Sequence, residues 1–274
     1  MLRRPFIDVP MSRLATWSAR FGWFALAVAV LSLVILRTDL LEIGPALATF
    51  GAALLFAALA VLLAFAAFVV IWREGSLGLG RAVLGLVLGL LLLAYPGYLG
   101  YRAIRTPAIT DVTTDASDPP SFAVLARLRP RGRVTYPGAQ VAALQKEAFP
   151  AIEPLQYDVP AALAYQAALS VVTQRGWHVV DSQPPVAGGR GGTIEAVART
   201  LIMGFRDDVV IRVRPLGRGS RIDIRSASRY GTHDFGVNAR RVASLLEDID
   251  EAVSSAPVPE PERTPPPQRQ PRRR

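Results

Sequence analysis

The sequence predicts an α+β protein in two parts: three N-terminal transmembrane helices, then a soluble domain with an antiparallel four-stranded sheet and two helices packed on one face. Three observations carry this prediction. Residues 21–36, 43–72 and 82–101 hold no charged side chain, and a helix needs about 20 apolar residues to cross a hydrocarbon core. Residues 208–229 alternate apolar and charged side chains on either side of a Pro-Leu-Gly-Arg-Gly turn. The flanking segments 160–175 and 235–253 repeat apolar residues at helical spacing.

The anchor covers residues 1–105, with spans at about 17–36, 45–72 and 82–101. The first span reaches full length from Trp17 if Arg20 extends its guanidinium to the headgroups. A cleaved signal peptide is the competing reading of that span. No small-residue cleavage site precedes the next apolar run, and two more spans follow. Arg3, Arg4, Arg13 and Arg20 precede the first span and Arg73 and Arg81 separate the second from the third, whereas Arg37 in the first loop faces Asp39 and Glu42. The positive-inside rule then puts the N-terminus in the cytoplasm of a bacterium and the C-terminal domain in the periplasm, with Arg102 and Arg105 weighing against it. Trp17, Trp23, Phe24 and Trp72 at one face and Tyr95, Tyr98 and Tyr101 at the other match two aromatic belts.

With no acid or base inside the spans, and Pro45 and Pro96 only near their ends, an ion or proton path is not expected. Gly85 and Gly89 form a small-xxx-small pair on which another helix could dock, or are glycines scattered through a Leu-rich anchor.

The net charge of +9 is concentrated at the ends. Residues 1–20 and the tail from residue 256 contribute +3 each. A nucleic-acid surface would instead put a basic patch on the folded domain, so no nucleic-acid partner is expected. The absence of cysteine removes disulfides, thiol chemistry and Cys-based metal sites.

The soluble domain is assigned residues 106–253 and a disordered, Pro/Arg-rich tail residues 254–274. Residues 106–148 show little periodicity and read as an extended arm lying over the domain. In the first helix, Asp158 or Val159 caps, Pro160 suits the first turn, Gly176 suits the stop, and Ala162, Tyr165, Leu169 and Val172 form the buried stripe. Strands are predicted at 177–182, 193–202, 208–214 and 220–229.

If the last hairpin closes about Gly217 and Arg218, Arg212 lies across from Asp223. Val209, Ile211, Val213, Ile222 and Ile224 then face the core. Arg212, Arg214, Asp223 and Arg225 face the other side as a charged, solvent-facing ladder that Glu195 and Arg199 extend. The Asp-rich arm lying across this face would satisfy it internally. Asp234 is the expected N-cap of the last helix, whose stripe is Val242, Leu245, Leu246, Ile249 and Val253. Asn238 falls on the same stripe and must be satisfied; it is predicted to hold the backbone of the 229–234 turn.

Several runs in this region carry a resemblance. They are Asp111-Val112-Thr113-Thr114-Asp115, Asp118-Pro119-Pro120-Ser121-Phe122, residues 150–155, Gly176-Trp177, Ile194-Glu195-Ala196, residues 205–212 and residues 226–241, which include Asp208, Gly231, Asp234 and Asn238. Together they are similar to the DUF1499 family, a domain of unknown function, over roughly residues 106–252. Phe149, Ala151 and His233-Asp234-Phe235 depart from the family's usual residues. The resemblance implies a small α+β domain, often membrane-linked in bacteria, and brings no activity or cofactor.

Candidate chemistry must then come from the residues. Asp207 and Asp208 are adjacent on a strand and point to opposite faces, which suits salt bridges better than an acid/base pair. His233 beside Asp234 could assemble a base with Asp208 for a membrane-anchored hydrolase, but Ser226 and Ser228 lie on the core face and no nucleophile or oxyanion donor is apparent. His178 and His233, the only histidines, lack metal-ligand spacing, so no metal is expected. Gly188, Gly189, Gly191 and Gly192 around Arg190 precede a strand rather than a helix and read as a hairpin loop, not a phosphate cradle.

What remains is the arginine ladder. Arg199, Arg212, Arg214 and Arg225 could bind an anionic envelope ligand or an acidic protein partner, because guanidinium matches carboxylate and phosphate in a bidentate way. The expected function is therefore non-enzymatic binding at the bacterial inner membrane. The alternatives are the hydrolase and an accessory subunit of a membrane complex docked through Gly85 and Gly89.

Overall fold

Three helices open the chain: α1 (Arg13–Thr38), α2 (Ile43–Glu74) and α3 (Leu79–Arg105). At about 1.5 Å per residue each exceeds the roughly 30 Å of a hydrocarbon core. All three are long and apolar enough to cross a membrane. The computed structural model describes residues 9–38, 40, 42–129, 135–186 and 191–255; the tail from residue 256, and Gly188, Gly189 and Arg190, lie outside the described residues.

Small side chains seat the bundle. The buried stripe of α2 is Ala46, Ala53, Ala57, Ala60, Ala64 and Ala67 with Phe50, and that of α1 includes Ala15, Ser18, Ala19, Gly22, Ala25 and Ala29. Small residues let the helix backbones approach closely, the packing by which helices associate where the surroundings are as apolar as their side chains. Ser18 Oγ donates to the Ala60 carbonyl at 2.8 Å. Gly85 of α3 faces Ser18 of α1, and Gly89 faces Ala57 and Val61 of α2. The two glycines are thus occupied within the chain, and the expected docking seam for another subunit is filled by its own helices.

The soluble part follows as β1 (Asp111–Thr113), a 3-10 turn (Leu125–Leu128), α4 (Ala139–Ala148), β2 (Leu155–Tyr157), α5 (Ala161–Gln174), β3 (His178–Gln183), β4 (Gly192–Arg199), β5 (Arg206–Leu216), β6 (Gly219–Ser228) and α6 (Val237–Ser255). The sheet order is β1-β6-β5-β4-β3, with β2 also on β6, and all pairs are antiparallel. It is an α+β domain. The four predicted strands are β3 to β6, with β3 at one edge, and two further short strands, β1 and β2, line the outer edge of β6. The arm also holds α4, where the sequence pattern reads as extended chain. Gln145 of α4 is buried because it hydrogen bonds the Thr113 amide at 3.0 Å and carbonyl at 2.7 Å, closing the free edge of β1.

The helices α5 and α6 pack on one face of the sheet. Their core joins Tyr165, Ala168 and Val172 to Val209, Ile211, Ile222, Ile224, Val242, Leu245 and Ile249. Ala162 is exposed and Leu169 half-buried, so the α5 stripe is rotated onto Ala161, Ala164 and Ala168. Pro160 itself occupies the cap position of α5, and Gly176 takes the left-handed φ of +66° after it. Asp234 caps α6 as predicted, accepting from the Gly236 amide at 2.8 Å and the Asn238 amide at 2.9 Å.

Asn238 is fully buried, but its partners differ from the expectation. Its amide nitrogen donates to the Thr110 carbonyl and Ser228 Oγ, and its oxygen accepts from Ser226 Oγ and Arg241. Asn238 therefore ties the arm to β6 rather than holding the 229–234 turn. The turn is held instead by the Asp234 amide on the Ile109 carbonyl at 3.0 Å. Gly231 adopts a φ of +83° there, a conformation glycine takes at no steric cost.

Candidate ligand cleft beside the membrane helices

The second face of the sheet is not solvent-facing. Hairpin register pairs Arg212 with Asp223, as the alternation predicts, yet the arm covers that ladder. The Glu195 carboxylate accepts backbone amides of Ala123, Val124 and Leu125 at 2.6, 3.3 and 2.7 Å, pinning the arm to β4. Phe122 and Leu125 then pack on Val210 and Ala227.

Under this cover each of these arginines has an internal carboxylate. Arg225, only 2% exposed, forks onto Asp111. Arg212 and Arg214 share Asp118 and Asp223, and Arg221 bridges Asp115 and Asp223. Burial pushes the Asp115 carboxyl up, but the Ser117 hydroxyl, the Asp118 and Ser117 amides and the Arg221 charge outweigh it and hold the group below its ordinary value. Asp208, fully buried, accepts from both Arg129 and Arg229, while Asp207 on the opposite face pairs with Arg241. The expectation that Arg212, Arg214 and Arg225 form an open anion ladder is thus corrected: the Asp-rich arm neutralises them.

Past Leu128, a cleft of about 680 Å³ opens over β3, β4 and β5, lined by Trp177, His178, Val180, Val197 and four arginines, Arg175, Arg199, Arg206 and Arg229. Arg199 and Arg206 sit directly opposite each other across β4 and β5. Arg199, the one predicted site residue here, also donates to the Arg37 carbonyl at the end of α1, at 2.9 Å. Arg175 lies over the Trp177 ring and pairs with Asp248. Arg206 escapes the sequence reading because alternation starts the strand at Asp208; pairing it with Arg199 requires the β4–β5 register.

A second, apolar space lies between the domain and the helices. Residues 200–202, expected to end a strand, instead begin a loop of residues 200–205. This loop turns and wedges Met203 and Phe205 against Leu36, Ala46, Phe50 and Tyr95. Arg37 donates to the Leu201 carbonyl at 2.6 Å and Arg102 to the Phe235 carbonyl at 2.9 Å, clamping both sides of the joint. A cavity of about 390 Å³ remains there, lined by Ile43, Leu47, Tyr95, Leu99, Phe205 and Arg206 among others.

The residues of the hydrolase alternative do not assemble. His233 accepts the Phe235 amide at Nδ1, which places its proton on Nε2 facing the Thr106 carbonyl. Asp234 is occupied as the α6 cap, and burial pushes its carboxyl up against the lowering effect of the Asn238 and Gly236 amides. Asp208 is held by two arginines. None of the three is left to activate a nucleophile.

A family model described as "Protein of unknown function (DUF1499)" matches residues 111–249. The chain belongs to the DUF1499 family. No curated protein matches it. Among solved structures, CalU16 from Micromonospora echinospora is 15% identical with a TM-score of 0.24, covering 37% of this chain and 81% of its own. TTHA0849 from Thermus thermophilus is 16% identical with a TM-score of 0.21, covering 38% of this chain and 97% of its own. Similarities of this size carry no argument about function.

Proposed function

We propose that this DUF1499 member is a non-enzymatic protein of the bacterial inner membrane whose domain faces the periplasm and binds an anionic envelope ligand in the arginine cleft. The observation that carries the reading is the Arg199–Arg206 pair across β4 and β5, with Arg175 and Arg229 lining the same open cleft. A guanidinium carries five N–H donors, so one that lines a cleft can donate to a carboxylate or phosphate beside its partners within the chain. Arg225, by contrast, is 2% exposed beneath the arm.

The sidedness is supported by the distribution of arginines. The segment of residues 10–12 pairs with Leu77, so this segment and the α2–α3 loop share one end of the bundle, together with Arg13, Arg20, Arg73 and Arg81. At the other end Arg102, which with Arg105 counts against the assignment, donates to the Phe235 carbonyl of the domain. Because the chain has no cysteine, Ser255→Cys provides a unique label. A membrane-impermeant maleimide is expected to react with it in intact cells with a permeabilised outer membrane. Reaction only after lysis would put the domain in the cytoplasm and remove the envelope ligand.

For binding, full-length protein in detergent is expected to melt at higher temperature in phosphate than in chloride of matched ionic strength. Arg199→Glu combined with Arg206→Glu should abolish that rise. Equal melting of the parent protein in both salts would sink the reading.

A further inference from the structure

We infer that the loop of residues 200–205 is a membrane foot: Leu201 and Ile202 enter the lipid surface at the edge of the hydrocarbon core, and the domain is fixed against the leaflet instead of swinging from α3. The inference needs the three helices to cross a bilayer. It is independent of the anion cleft and holds for either orientation.

The level of the loop follows from the helices. From Arg81 to Arg102, α3 rises by about 30 Å, the thickness of a hydrocarbon core, so these two guanidiniums mark its edges. Gly85 of α3 lies against Ser18 of α1. Counted along both helices from that contact, Arg37 is within a turn of Arg102. Arg37 donates to the carbonyls of Leu201 at 2.6 Å and Ile202 at 3.4 Å. Gly204 lies against the same arginine, where an added Cβ would meet Cγ at 3.1 Å and Cα at 3.6 Å. Met203 is buried in one cluster with Leu36, Ala46 and Phe50 of the bundle. The loop is therefore seated in the end of the bundle, level with the edge of the core.

Its outward side chains suit that level. Leu201 is 89% exposed and Leu40, in the α1–α2 loop, 70%, and Ile202 and Tyr230 are exposed as well. Tyr230 lines one hollow with Ile43 and Gly204. Apolar residues scattered singly on a surface need no explanation. Here several gather at one end of a spanning bundle, and the loop itself carries no charged side chain. The lipid interface is the surrounding that accepts such a group, with aromatic side chains among the headgroups.

The backbone of the loop suits it too, because polar groups that leave water must be paired within the protein. The Thr200 amide donates to the Phe205 carbonyl at 2.9 Å and the Gly204 amide to the Thr200 carbonyl at 3.0 Å. The Phe205 amide donates to Thr200 Oγ at 2.9 Å. With Arg37 on the next two carbonyls, the loop can meet lipid without leaving these groups unpaired.

The absence of cysteine allows one nitroxide at a time. Leu201→Cys is compared with Leu55→Cys, on the exposed side of α2, and with Arg218→Cys, at the far turn between β5 and β6. Each full-length variant is placed in phospholipid nanodiscs at one chain per disc. Collisions of the label are measured with oxygen, which concentrates in hydrocarbon, and with a nickel chelate, which stays in water. The oxygen-to-nickel ratio at position 201 is expected to exceed that at position 218 by at least roughly threefold and to approach that at position 55. The clamp uses the Leu201 carbonyl, so the substitution leaves it in place, and Ile202→Cys replaces the first variant should it misfold. A ratio at 201 equal to that at 218 would put the loop in water and overturn the inference. Few collisions with either reagent would mean that protein covers the loop, and would overturn it as well. A water-like ratio at position 55 would overturn the spanning helices themselves.

Discussion

Arg225→Ala is expected to destabilise the domain by about 3–5 kcal/mol, the cost of removing one partner of a buried ion pair. The side chain donates to both Asp111 carboxylate oxygens, at 2.9 and 2.7 Å, and to the Pro120 carbonyl at 3.1 Å. The Phe122 ring lies 4.8 Å from the guanidinium carbon on one side. Truncation leaves Asp111, itself only 4% exposed, as a buried charge without its counterion. It also frees the arm at the point where it crosses β6. Hydrogen exchange of the full-length protein is the direct measurement: amides of β1 and β6 should lose protection by roughly 150- to 5000-fold, the equivalent of that free energy. The double variant Asp111→Leu with Arg225→Met should recover most of the loss, because the desolvation penalty disappears with both charges. Protection in Arg225→Ala equal to that of the parent would mean that the arm does not bury this pair.

Gly85→Leu carries the second large effect. A Cβ built on Gly85 overlaps Ser18 of α1, including its carbonyl carbon and oxygen at 2.6 and 2.7 Å. The obstruction is backbone, so no rotamer change relieves it, and α3 must move away from α1. Overpacking of this kind costs about 1–3 kcal/mol, with more expected where whole helices must separate. The Ser18 hydrogen bond to Ala60 lies in the same layer, so the α1–α2 contact is disturbed as well. Unfolding of the purified chain in mixed micelles, followed by far-UV circular dichroism, should shift to a clearly lower denaturant fraction. An isolated chain as stable as the parent, with loss only of a co-purifying protein, would instead restore Gly85 and Gly89 to an intermolecular seam.

The parts legible in the sequence are those in which a local period reports a local environment. The Arg212–Asp223 register follows from alternation about Gly217, and Val242, Leu245 and Ile249 of α6 from helical spacing. Alternation assigns Arg225 to the correct face but carries no information about what covers that face. The cover is anchored through β1, which like β2 is three residues long, too short to show a period, and pairs with a strand distant in sequence. The cleft is half legible: Arg199 stands out in the ladder, whereas Arg206 becomes its neighbour only through the β4–β5 pairing. The joint with the three apolar helices leaves a trace in Leu201-Ile202-Met203-Gly204-Phe205, an apolar run at a strand end with a glycine inside it. Likewise, the alanines of α2 recur every three or four residues, a seam as readable as Gly85 and Gly89.

The path of the arm has a consequence for how the molecule is made. Asp111 meets Arg225 across 114 residues of chain, and Thr114 meets Ile224 across 110. The first part of the domain to emerge from the ribosome is therefore completed by nearly the last. Contacts this distant are slow to form, because the intervening loop must close before they contribute. Until β6 arrives, the arm's aspartates and Phe122 have no seat, and the nascent domain offers unpaired backbone to proteases and chaperones. Folding is then tied to the end of synthesis, and a chain truncated before β6 should be degraded rather than accumulate as a partial domain at the membrane.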